Sequence, residues 1–176
     1  MGDALATIQS YARYWADPDP YKVSADDLIY IFSQAGCEQL PSDTDAAKSV
    51  KSLSEGCYIG KQKKHWCGIF ATMVLKYAGV NVSWSLVNGR MIVDKSPYEY
   101  LSAAGNLGKL SPGDVAVIKK ANHHFLIMDT VEDEGGSPLL LTIEGNTPGQ
   151  KIKSNTRPLK ASDTKVRIYG FYHLKE

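Results

Sequence analysis

The stretch HWCGIFATMVLKYAGV, residues 65 to 80, decides the fold. Ile69, Phe70, Met73, Val74 and Tyr77 recur at helical spacing, and Gly79 stands where a helix would stop. The spacing predicts an amphipathic helix with those five side chains on its buried stripe. Cys67 falls in its first turn.

Outward toward the N-terminus, the chain reads as helical. Ala4 to Trp15 predicts a short helix, ended by the turn cluster Asp17-Pro18-Asp19-Pro20. Ser24 is a capping residue with acids behind it. Leu28, Ile31 and Phe32 form the stripe of a second helix, and Gly36 is its stop. Pro41 to Asp45 reads as a loop. Outward toward the C-terminus, the character changes after Ser111-Pro-Gly-Asp114. Val115 to Ile118, Phe125 to Val131, Leu139 to Ile143 and Val166 to Tyr172 are short, rich in β-branched and aliphatic residues, and separated by polar or glycine clusters. Helices first and antiparallel strands later predict an α+β domain.

With 176 residues the chain fits one domain, a helical part over residues 1–50 and a core over 51–176. Apolar residues at 43% and charged residues at 22% are the balance of a globular protein. Lys and Arg number 20 against 19 acids, so no basic field argues for nucleic acid as the partner. No apolar run approaches the about 20 residues of a membrane span. No basic segment followed by an apolar one opens the chain, which predicts a route of delivery other than the Sec pathway. Three cysteines, Cys37, Cys57 and Cys67, make no disulfide framework and contain no CxxC pair. Sequence alone leaves a Cys37–Cys57 bridge open.

The chemistry centres on Cys67. Open N–H groups and the helix dipole at a helix start favour an anion, and Lys63, Lys64 and His65 precede it. A thiol so placed drops below its ordinary pKa of about 8.5. On position alone, Cys67 fits equally well a small buried residue, the commonest fate of a cysteine.

A nucleophilic thiol needs a base, and His123-His124 is the obvious supply. Phe125 to Val131 and Leu139 to Glu144 read as a hairpin about the turn from Glu132 to Pro138. If Val131 faces Leu139, an unbroken ladder sets His124 opposite Asn146 with Glu144 diagonal to it, all on one face. A slip of one residue brings His123 to that face instead. The residues therefore support a histidine–acid pair and lean toward His124. A metal site would need His65 and His173 as further ligands, and no carboxylate cluster has EF-hand spacing.

Four pieces in order carry a resemblance: Trp66-Cys67-Gly68-Ile69-Phe70, Leu110-Ser-Pro-Gly-Asp114 leading into a strand, His124-Phe-Leu-Ile-Met128, and Ile143-Glu-Gly-Asn146. Over residues 55 to 172 the chain resembles the cysteine, histidine-dependent amidohydrolase/peptidase (CHAP) family and, more broadly, the NlpC-type papain-like group. The resemblance implies a papain-like fold and cleavage of a peptidoglycan amide bond, as amidase or stem-peptide endopeptidase. It implies Cys67 as nucleophile, His124 as base, Glu144 as its orienter and Asn146 as a polar partner, with no cofactor. It also implies the peptide stem as substrate, for a monomer. A wall hydrolase without a Sec signal suggests delivery by another route, as an antibacterial effector or a phage lysin. An effector would have an immunity protein as its partner. The doubled histidine departs from the family pattern, and Gly68 stands where alanine is common. Two other readings share the same residues: a cysteine protease or deamidase directed at proteins, and a binding module on the same fold.

Overall fold

The computed structural model describes residues 2–37, 57–59, 62–64, 66–85, 88–118, 123–160 and 166–175. Helix α1 runs Gly2–Trp15 and is followed by the short strand β1, Tyr21–Lys22. Helix α2, Ala25–Gln34, opens with the expected device. The Ser24 hydroxyl accepts the Asp27 N–H, and the Asp27 carboxylate accepts the Ser24 N–H, closing a capping box. Gly36, at φ +68°, takes the left-handed conformation that ends it. Strands β2 (Cys57–Ile59) and β3 (Gln62–Lys64) form a small antiparallel pair before helix α3, Cys67–Tyr77.

Helix α3 departs from the expected amphipathic pattern. Every residue from Cys67 to Leu75 is buried, whereas Tyr77, predicted for the buried stripe, is exposed. A helix apolar on all sides belongs in the interior, and this one sits between the sheet and the other helices. It packs on α1, α2 and the sheet's central strands, burying Ile69, Phe70, Met73 and Val74.

The remaining strands are β4 (Ser83–Ser85), β5 (Arg90–Ile92), β6 (Tyr98–Ser102), β7 (Val115–Ile118), β8 (His123–Glu132), β9 (Pro138–Thr147), β10 (Lys151–Pro158) and β11 (Ile168–Leu174). β4 and β5 make a hairpin of their own. The others join β1 in a seven-stranded sheet ordered β1-β10-β9-β8-β7-β11-β6, with antiparallel neighbours throughout. The architecture is α+β.

Alternation divides the sheet into two faces. Val115, Val117, Leu126, Met128, Ile143 and Tyr172 meet the helices. Ala116, Ile118, Phe125, Ile127, Leu140 and Phe171 form a second core on the other side. β10 was not anticipated, because KIKSNTRP carries almost no apolar residue; Ile152 is buried, and the rest of its inward positions are polar.

Asp114 closes the sheet. Its buried carboxylate accepts the backbone N–H groups of Ser111 and Leu174 and meets His173 Nδ1 at 3.0 Å. The loop before β7 is thereby pinned to the end of β11. Burial pushes this carboxyl above its ordinary pKa, against the pull of His173 and the two N–H groups. No helix among the described residues is long and apolar enough to cross a membrane.

Candidate active site

The hairpin of β8 and β9 sets the site. Val131 faces Leu139, as the sequence suggested, and the same frame continues to Asp129 opposite Leu141. There the ladder breaks. Ile127 pairs with Thr142, so Met128 is an extra residue on β8, a bulge. Its carbonyl, displaced from the ladder, accepts the side-chain amide of Gln9 from α1 at 2.7 Å. Beyond the bulge the frame has slipped by one, with Leu126 opposite Ile143.

That slip corrects the expected pairing of His124 with Glu144. His123, not His124, shares the face of Glu144, and its Nε2 lies 2.8 Å from Glu144 Oε2. His124 points to the opposite face, among the helices, and is buried. There its ring meets the edge of Trp84 at 5.1 Å and lies near Tyr172.

Cys67 reaches both histidines. Its Sγ accepts the backbone N–H of His124 at 3.4 Å and lies 4.0 Å from His124 Nδ1. His123 is close enough to act on the same thiol, whose pKa it lowers. Burial by itself pushes the Cys67 thiol up, but hydrogen bonds and positive charge from His123 and His124 bring it down to about 5. For His123, burial favours the neutral ring, and the bonds to Cys67 and Glu144 overcome it, raising the pKa to about 9. Between those values the pair rests as thiolate and imidazolium.

Glu144 is itself heavily held. Arg157 donates to it twice, Nε to Oε1 and Nη2 to Oε2, both at 2.6 Å. Thr142 Oγ1 and Asn155 Nδ2 add bonds to Oε1 at 2.9 and 3.1 Å. Burial would raise this carboxyl, yet His123 and Arg157 hold it far below the carboxylate range. Arg157 also lies over the Phe125 ring at 4.8 Å. Thr142, Asn155 and Arg157 were missed in the sequence. The signal was present in β10 as Lys153-x-Asn155-x-Arg157, polar side chains at every second position and hence on one face.

Asn146 adopts φ +56° just past this constellation and is half-buried. Its role as a polar partner rests on the resemblance. His173, considered as a metal ligand, is engaged with Asp114. The side chains of Cys57, Lys63 and Lys64, and all of Pro41 to Asp45, Lys61 and His65, lie outside the described residues. The readings that depend on them do too, including the Cys37–Cys57 bridge.

Two glycines bring the pieces together. A Cβ on Gly145 would stand 2.8 Å from the Trp66 ring and 2.9 Å from Phe70 Cβ, so its absence lets the start of α3 press against β9. A Cβ on Gly68 would overlap the Trp84 ring outright. Gly68, an anomaly in the motif, is thus what lets Trp84 lie across the helix start against His124. The N-cap residue of α3, Trp66, makes no side-chain hydrogen bond to the first turn, and N–H groups at a helix start are of the kind that favours an oxyanion.

No known protein family, curated protein or solved structure matches the chain.

Proposed function

We propose that the protein is a papain-like cysteine hydrolase that cuts amide bonds through a thioester on Cys67. The observation that carries this reading is a Cys67 thiol set beside two histidines and lowered to about 5, with a carboxylate bonded to the His123 imidazole at 2.8 Å. An isolated structural cysteine needs none of these partners.

The Cys67 thiolate attacks the carbonyl carbon, and the oxyanion turns toward the N–H groups opening α3. The His123 imidazolium gives its proton to the leaving nitrogen as the C–N bond breaks. Water then attacks the thioester, and neutral His123 takes one of its protons. The C–S bond breaks, and the thiolate and imidazolium are restored. Glu144, fixed by Arg157, keeps the ring oriented and stabilises its charged form. His124 serves as a wall of the site, and its backbone N–H steadies the sulfur.

The substrate class rests on the resemblance to the CHAP family, which points to amide bonds of peptidoglycan, and delivery beyond the cytoplasm goes with that reading. The test is digestion of purified sacculi by the wild type and Cys67→Ala, with products read by mass spectrometry. Defined muropeptides from the wild type alone are expected. Intact sacculi with both proteins, alongside a wild-type thiol that still reacts fast with an alkylating agent, would move the substrate to another class of amide.

A further inference from the structure

The cavity nearest the site opens on the side of His124, away from Glu144. It encloses about 460 Å³, and the His124 ring forms part of its floor with Tyr172 and Val117. The lip is the segment from Asn88 to Asp94, which includes β5. That lip is held in place, since Trp84 of β4 pairs with Met91, and the Met91 N–H donates to the Tyr172 hydroxyl at 3.1 Å.

Two charges stand on the lip, Arg90 and Asp94, and both are exposed. Neither enters an ion pair among the described residues, whose carboxylate partners are His123, Arg157 and His173. Arg90 lines the cavity together with the buried Tyr172, which sets a positive charge on its rim. Asp94 follows Arg90 by four positions, about 13 Å in extended chain. The rim is therefore polarised, inviting an anion at one end and repelling it at the other.

We propose that this cavity is the substrate's docking subsite, and that Arg90 selects a peptide carrying a free carboxylate close to the amide that is cut. A guanidinium offers two parallel N–H donors to a carboxylate, a match that an amide in the same place does not make. Asp94 sets the direction, turning the carboxylate toward the Arg90 end. The inference rests on the reading of Cys67 as a nucleophile, but not on peptidoglycan being the substrate.

The test is calorimetric titration of the Cys67→Ala protein, with and without Arg90→Gln, using two pairs of probes. The first pair is the stem peptide L-Ala-γ-D-Glu-L-Lys with its glutamyl α-carboxylate free or amidated. The second is acetyl-trialanine as acid or amide. In at least one pair the acid is expected to bind ten-fold or more tightly than the amide. Arg90→Gln should abolish that preference and leave the amide's affinity unchanged, and Arg90→Lys should restore part of it. Equal affinities in both pairs, no binding of any probe, or a preference that survives Arg90→Gln overturns the inference. Discrimination within the trialanine pair alone supports the subsite and removes the wall substrate. Wild-type cleavage of both stem peptides at equal rates keeps the wall substrate and removes the subsite.

Discussion

Arg157 holds Glu144 by both carboxylate oxygens, and Glu144 spends one of those oxygens again on His123. The arginine thereby reaches the imidazole without touching it. Replacing Arg157 by leucine leaves a buried carboxylate without its guanidinium, at an expected cost of about 3 kcal/mol, read by urea unfolding at neutral pH. Arg157→Lys keeps the charge without the fork, and the loss should be smaller. In both variants the carboxylate is less firmly placed behind His123, so thiol alkylation at neutral pH should slow.

The two histidines are expected to separate by function. His123→Asn removes the proton carrier and should lower kcat/KM by about 10²- to 10⁴-fold. It should also slow iodoacetamide labelling of Cys67 at pH 7, because the thiol loses its strongest lowering partner. His124→Asn keeps the backbone N–H to sulfur and the His123–Glu144 pair, so its labelling rate should fall less. Equal loss in the two variants would contradict the assignment of His123 as the base.

Activity should follow a bell in pH. The thiol becomes thiolate as pH rises through about 5, and His123 stops being imidazolium as pH rises through about 9. The active form, charged on both groups, exists between those limits, and the limbs belong to the pair as a whole. Measuring kcat/KM from pH 4 to 10 in the same ionic strength checks it. Glu144→Gln should pull the alkaline limb toward neutrality, because one of the groups that raises His123 is gone.

Gly145→Ala places a methyl group 2.8 Å from the Trp66 ring and 2.9 Å from Phe70 Cβ. Since Phe70 Cβ is fixed to the helix backbone, α3 itself must shift. A stability loss of about 1–3 kcal/mol is expected, together with lower activity, because Cys67 rides on the same helix end. Thermal unfolding and the labelling rate read the two effects separately.

The helices and central strands were legible because their residues announce them. Ser24 and Asp27 cap as their side chains require, Gly36 and Gly79 take positive φ, and β7 was read with its ends in place. β10 was invisible because its inward side chains serve Glu144 instead of an apolar core, so hydrophobic alternation gave no signal. The histidine that faces Glu144 was misplaced for a different reason. The turn between β8 and β9 was placed correctly, but the bulge at Met128, whose carbonyl is met by Gln9 over a hundred residues away, has no local pattern to report it.

That bulge has a consequence for how the site tolerates change. Which imidazole faces Glu144 is written in the frame of a ladder, and a frame can shift when a loop gains or loses a residue. Because His123 and His124 stand in tandem, either frame presents an imidazole to the carboxylate. A one-residue slip would exchange the working side chain without emptying the post.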